Sequence, residues 1–288
     1  MDRVDVEMRE IGWQFLVSQR GEIQQLVENS HRKDDLSGLL YRLVLYLGER
    51  GRGVLALLGA DLTWDAEIIL RSYYECVSKI LYLSLSAAEQ AQLIYEFEVV
   101  LAEASDKRRA RKAGFAEAAA RQEVQGARDV FRLLQSEQMV RNTASVTKAE
   151  RQAIEARWSF SGIIEQLAKA EVDGQSLGDA QSLLHIYGMA SHLIHADAAA
   201  LDFMEDRARR GPEELAILEV AHASRIVSDV VSLGAFCSVS IGRVLGAEKG
   251  WMANSLSHLK SIGELSERSS GKFYESQQDF YDRMLDRN

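Results

Sequence analysis

The sequence holds a single proline, Pro212, in 288 residues. Sheet-rich chains of this length need many turns, and turns favour proline, so the scarcity argues against a β architecture. Cysteine occurs only twice. Cys76 and Cys237 both lie in apolar stretches, where cysteine behaves as a small buried hydrophobe. Without a cysteine framework nothing points to an oxidising compartment. The opening residues Met1-Asp2-Arg3-Val4-Asp5 are too charged for a signal peptide. Positive charge is in deficit, with a net charge of −9, which works against general nucleic-acid binding. Long uncharged apolar runs are missing too. The most apolar stretch, Leu215 to Leu245, is interrupted by Glu219, His222, Arg225, Asp229 and Arg243. It reads as a buried helix rather than a membrane span. A cytoplasmic protein with no membrane partner is expected.

What is present is helical. Runs rich in Ala, Leu, Glu, Gln and Arg favour helix, and no segment sustains strand alternation. Helices are predicted over Val4 to Glu28, Leu36 to Leu58 and Trp64 to Leu85, the third capped by Asp61 or Thr63. Ser86-x-x-Glu89 is a capping-box pattern that opens a fourth helix running towards Lys112, with Gly114 after it. A very polar helix covers Phe115 to Arg141. Thr147-x-x-Glu150 opens a helix to Arg157, and a short one spans about Ser161 to Glu171. Asp173-Gly174 reads as a turn. Ser176 caps a helix to about Arg210. Gly211-Pro212 then opens another from Glu213 to about Leu245.

The expected fold is all-α, a multi-helix bundle of long antiparallel helices. Its core helices are Trp64–Leu85, Ser176–Asp206 and Glu213–Leu245. A single domain would cover 1–248, with a core over about 62–246 and an N-terminal helical hairpin over about 4–58. A polar helical tail follows over 249–288. From Lys260 it is rich in Ser, Glu, Lys and Gln, as an interaction arm or a partly disordered segment would be.

Phosphate-binding glycine loops, a nucleophile elbow and paired Cys-x-x-Cys are all missing. Glu-x-x-His occurs at Glu28/His31 and at Glu219/His222. Two such motifs can build a di-iron centre in a bundle. The first sits in a polar break, however, and the second lacks nearby inward carboxylates. His192 and His195 have the spacing of two ligands on one helix face but no clear third. Neither a metal nor a cofactor is expected.

Two segments carry candidate chemistry. Between Ile68 and Ala88 the only charged residues are Arg71, Glu75 and Lys79, spaced by four and so on one helix face. Most of the remaining circumference is apolar. A helix apolar nearly all round is central to its bundle, and charges on it must be paired or solvated. The second segment runs from Tyr187 to Asp197 and places Tyr187, Ser191 and His195 four apart. No Asp, Glu, Lys or Arg lies between Gln181 and Ala196. A histidine held in a cleft can serve as acid and base near neutral pH. Arg71 and Glu75 are expected to face the helix bearing Ser191 and His195. The basic run Lys107-Arg108-Arg109-Ala110-Arg111-Lys112 reads as a solvated helix end.

The order Arg71-x3-Glu75, then Trp158, then Tyr187-x3-Ser191-x3-His195 resembles an uncharacterised bacterial family of helical proteins, over about Leu62 to Phe203. A looser resemblance is to the HEPN superfamily. It comprises helical-bundle proteins that include metal-independent ribonucleases of toxin and phage-defence systems, with Arg-Asn-x3-His on a late helix. Here Ala190 stands at the arginine position, Ser191 at the asparagine position and His195 at the histidine. Arg71 is the candidate replacement for the missing arginine, since its planar fork suits phosphate oxygens. That resemblance implies RNA as substrate and a homodimer or partner protein. His195 would be general base or acid, Arg71 would hold phosphate, and Glu75 would position either. Ser191 and Tyr187 would supply hydrogen bonds. The competing reading is a non-catalytic module that binds a protein or small ligand. In it the same five residues form a polar network that fixes helix register.

Overall fold

The computed structural model describes residues 3–30, 34–120, 125–136, 144–172 and 175–285. Its helices are α1 Arg3–Asn29, α2 Asp35–Gly59, α3 Thr63–Leu83, α4 Gln90–Tyr95, α5 Ala102–Ala119, α6 Gln125–Gln135, α7 Lys148–Arg157, α8 Phe160–Lys169, α9 Ser182–His195, α10 Ala198–Arg209, α11 Pro212–Leu245 and α12 Ala253–Leu285. The only strands among the described residues are β1 Glu171–Val172 and β2 Gln175–Ser176, a two-residue antiparallel pair. The fold is an all-α multi-helix bundle. Asp173-Gly174 falls between these strands and outside the described residues. The chain divides into two compact units, one of residues 1–85 with 164–288 and one of 86–163.

In the first unit α3 and α11 are central. α3 packs on α2, α9 and α11, and α11 packs on α1, α2, α3 and α12. Leu70, Tyr73, Val77 and Ile80 of α3 are fully buried, as are Ile226, Val227, Val230 and Val231 of α11. α1 contributes Met8, Phe15, Gln19 and Ile23, a stripe at helical spacing. Gly234 of α11 lies at a close crossing with α1 and α3. A Cβ there would lie 2.7 Å from Phe15 Cε1 and 2.7 Å from the Tyr73 hydroxyl oxygen. That room lets Tyr73 donate to the Val230 carbonyl at 2.6 Å and Gln19 donate to the Gly234 carbonyl at 2.6 Å. By length and composition α11 could cross a membrane, but 56% of its most apolar window is buried within the molecule.

The tail forms α12, which packs on α1 and α11 and buries Ser255, Ile262 and Leu265, with Met252 buried just before it. α9, expected in the core, contributes only Ala190 to the fully buried residues. The continuous helix expected from Ser176 to Arg210 is broken. A 3-10 turn at Gly178–Gln181 precedes α9, and Ala196 takes a left-handed conformation with φ +46°. Asp197 then caps α10, accepting from the Ala200 amide at 3.2 Å. An Asx residue able to satisfy the first amides of a new helix wins over continuation. α3 departs from expectation at its start, where its N-cap is Leu62 and no side chain caps it.

In the second unit the expected box at Ser86 does not form. Ser86–Glu89 is a turn, and α4 begins at Gln90 without a side-chain cap. Gly114 does not end the next helix. α4 continues through a π-helical turn, Glu96–Leu101, into α5, which runs to Ala119. Of the helix expected over Phe115 to Arg141, the first residues to Ala119 are the end of α5 and Gln125–Gln135 form α6, while 121–124 and 137–141 lie outside the described residues. The capping box at Thr147 does form. Thr147 Oγ1 accepts from the Glu150 amide at 3.2 Å, and Glu150 accepts from the Thr147 amide at 2.7 Å.

The π-helical turn brings Glu96 inward, 1% exposed, where Arg157, the Trp158 indole N–H at 2.8 Å and Gln92 at 3.0 Å all donate to it. Burial works to raise the Glu96 carboxyl, but these donors outweigh it and hold it below its ordinary range. Trp158 is therefore a buried anchor for a carboxylate.

Candidate functional site

α3 presents Arg71 and Glu75 to α9, and the residue they meet is Tyr187. Arg71 donates to the Tyr187 hydroxyl at 2.7 Å, and that hydroxyl donates to Glu75 Oε1 at 2.8 Å. The Arg71 guanidinium also lies 4.5 Å from the Tyr187 ring centroid and 3.5 Å from Glu75 Oε1. The tyrosine hydroxyl thus uses both its donor and its acceptor capacity. Partial burial, together with its bond to Glu75, raises the Tyr187 phenol and keeps it neutral. The network is half-exposed, with 22% of the Arg71 side chain and 37% of Glu75 open to solvent.

Ser191 and His195 lie beyond this contact. Ser191 is half-buried and His195 exposed, and neither has a hydrogen-bond partner among the described residues. Eight residues of helix separate Tyr187 from His195, about 12 Å along the axis. The structure therefore brings together three of the five candidates, Arg71, Glu75 and Tyr187. His195 stands apart, two turns along. Lys79, the third charge of the α3 stripe, is half-buried.

His192 is engaged where His195 is not. Its Nδ1 lies 2.6 Å from Asp197 Oδ2, across the break after α9. The His192 hydrogen bond holds the Asp197 carboxyl below its ordinary range, with the Ala200 amide adding to the effect. The His192 and Asp197 side chains are 46% and 44% exposed.

A buried polar cluster lies deeper, between α3 and α11. Arg225 donates to Glu67 and, at 2.7 Å, to Asp229 Oδ2. The Tyr74 hydroxyl donates to that same Asp229 oxygen at 2.6 Å. Glu67 is 1% exposed and its second oxygen has no hydrogen-bond partner among the described residues. Two carboxylates thus share one guanidinium. Burial raises both acids, Arg225 working against it in each case. Beside the cluster the His222 ring lies 4.7 Å from that of Trp64, tilted 50° to it, and the Arg207 guanidinium lies 4.7 Å from the Trp64 ring centroid. Burial, with Arg225, Arg207 and Arg210 adding to it, pushes His222 down to about 4. A cleft of about 220 Å³ opens here, lined by His222, Arg225, Ser228 and Asp229 of α11 and by Ser266 and Phe273 of α12.

The sequence shows His222, Arg225 and Asp229 only as interruptions of an apolar helix, and Glu67 is not singled out. The usable signal was Arg225 and Asp229 at i, i+4 inside the most apolar stretch, a spacing that pairs them. For the His192–Asp197 contact the signal was an aspartate two residues past the end of a helix. Of the two Glu-x-x-His motifs, His31 lies outside the described residues. Glu219 pairs with Arg207 at 3.2 Å and makes no pair with His222. No group of three metal-ligating side chains occurs among the described residues. The basic run is largely committed within its own unit, Lys107 to Glu103, Arg108 to Glu155 and Arg109 to Asp106.

A family model described as a family of unknown function (DUF5677) matches residues 38–211. No curated protein and no solved structure matches the chain. The match covers more than half of the sequence and includes Arg71, Glu75, Trp158, Tyr187, Ser191 and His195. By that match the chain belongs to DUF5677, a family whose function is unknown.

Proposed function

We propose that this chain is a HEPN-like cytoplasmic ribonuclease of a toxin or phage-defence system, acting without a metal ion. The observation that carries the reading is the state of His195. It is open to solvent at the end of α9 and has no partner among the described residues, on a helix fastened to α3 by Arg71, Glu75 and Tyr187. A fixed backbone with a free imidazole suits proton exchange with a ribose hydroxyl or a leaving oxygen. Two turns away, the half-exposed Arg71 would engage a neighbouring phosphate of the same strand. Exposed Ile194, Leu201 and Met204 around the same elbow support a homodimer or partner protein at this face.

The test is cleavage of a fluorophore-labelled single-stranded RNA in the presence of EDTA. Wild-type protein is expected to cut it, His195→Ala to be inactive, and Arg71→Lys to be severely impaired because lysine loses the fork. A folded His195→Ala variant with full activity overturns the mechanism. Failure of the wild type to cut any RNA, alone or with partners, favours a second reading.

That second reading is a non-catalytic module binding a protein or small ligand. The saturation of Arg71 by Glu75 and Tyr187 favours it, because a guanidinium already paired and stacked has less to offer a phosphate.

A further inference from the structure

We propose that His192, oriented by Asp197, is a second catalytic residue, acting as general base while His195 acts as general acid. The inference rests on the ribonuclease reading above. Metal-free cleavage through a ribose 2′-hydroxyl needs one group to accept a proton and another to supply one. Arg71 and Glu75 are committed to Tyr187 about two turns from His195. The charged side chains that hydrogen-bond to α9 among the described residues are Arg71 and Glu75 of α3, at Tyr187, and Asp197 ahead of α10, at His192. Of these only Asp197 reaches the last turn of α9.

The geometry of the elbow specifies a tautomer. Asp197 spends Oδ1 on the Ala200 amide and Oδ2 on His192 Nδ1. Its carboxyl is held ionised by that histidine and by the α10 amides, so the imidazole hydrogen belongs on Nδ1. Nε2 then carries the lone pair, and it has no partner among the described residues. A carboxylate that fixes ring and tautomer in this way is a recurring device for a histidine base. Ala196 makes the arrangement reachable. Its φ of +46° is a conformation disfavoured for alanine, and it folds the chain back so that Asp197 meets a histidine five residues earlier. His192 and His195 are three residues apart, which sets their Cβ atoms roughly 5–6 Å from one another on one side of the helix.

His192 Nε2 takes the 2′-hydroxyl proton as the 2′-oxygen–phosphorus bond forms. The phosphorus–5′-oxygen bond breaks, and protonated His195 gives its proton to the departing 5′-oxygen. The products are a 2′,3′-cyclic phosphate and a 5′-hydroxyl end. Solvent returns the proton from His192 and re-protonates His195.

The experiment measures EDTA-resistant cleavage of the labelled RNA against pH for wild type, His192→Ala, His195→Ala and Asp197→Asn. Wild type is expected to give a bell-shaped profile. His192→Ala should lose about 10²–10⁴-fold in rate, lose the acidic limb, and regain rate when free imidazole is added. Asp197→Asn should lower the rate with the fold intact, and nitrogen-15 spectra should show His192 protonated at Nδ1 in wild type and as a tautomer mixture in the variant. If wild type and His192→Ala cut equally while His195→Ala is dead, the His192 proposal falls and the ribonuclease reading stands. A wild type inactive on every RNA brings down both. A His192 ring protonated at Nε2 in the resting protein overturns the His192 proposal by itself.

Discussion

The hydroxyl of Tyr187 donates to Glu75 at 2.8 Å while accepting from Arg71 at 2.7 Å, so one phenol joins α9 to α3. The aromatic ring lies under the same guanidinium, 4.5 Å from centroid to carbon. α9 adds only Ala190 to the buried core, so its seating leans on this polar contact more than on apolar burial.

Tyr187→Phe keeps the ring and removes the shared hydroxyl. The expected loss is about 1 kcal/mol in urea unfolding, the size of a typical net hydrogen bond. Amide exchange in α9 should rise more than in α11, because the lost link anchors α9. Unchanged stability with unchanged exchange would show that the contact contributes nothing to seating the helix.

His222 supplies a pH dependence of definite sign. In the folded chain it sits at about 4, against an ordinary value of 6.5. Below pH 6.5 the unfolded chain binds a proton that the folded chain refuses, so stability falls as pH drops towards 4. Between pH 7 and pH 5 the expected loss is about 2 kcal/mol, and His222→Gln should remove most of it. Glu67 and Asp229 act with the opposite sign. Burial raises both, so the cost of ionising them disappears as pH falls through their folded values. Equal slopes for wild type and His222→Gln in this window would contradict the burial of a neutral imidazole.

Gly234→Ala tests the crossing of α1, α3 and α11. The added methyl would lie 2.7 Å from both Phe15 and Tyr73. Helix propensity favours alanine by about 1 kcal/mol, but overpacking costs roughly 1–3 kcal/mol. Net destabilisation is expected, together with weakening of the bonds from Tyr73 to the Val230 carbonyl and from Gln19 to the Gly234 carbonyl. Thermal unfolding measures it, and a melting temperature equal to or above wild type would mean the three helices have slack there.

Periodicity and punctuation in the sequence determined the helical fold and the extent of α1, α2 and α11. Apolar spacing and a proline at the first helical position act within a few residues, and so survive without tertiary context. The pairing of Arg71 with Glu75 was legible for the same reason, because residues four apart on a helix are neighbours. Tertiary structure alone decided what those charges meet. Tyr187 lies over a hundred residues away, and nothing local selects it over Ser191 or His195. It likewise decided that Arg225 answers both Glu67 and Asp229, since one guanidinium between two helices serves carboxylates from each. The bend at Ala196 shows how the two levels compete. Local propensity favours one long helix through His195. The fold instead holds a strained alanine there, because Asp197 can cap α10 and reach His192 only when the chain turns.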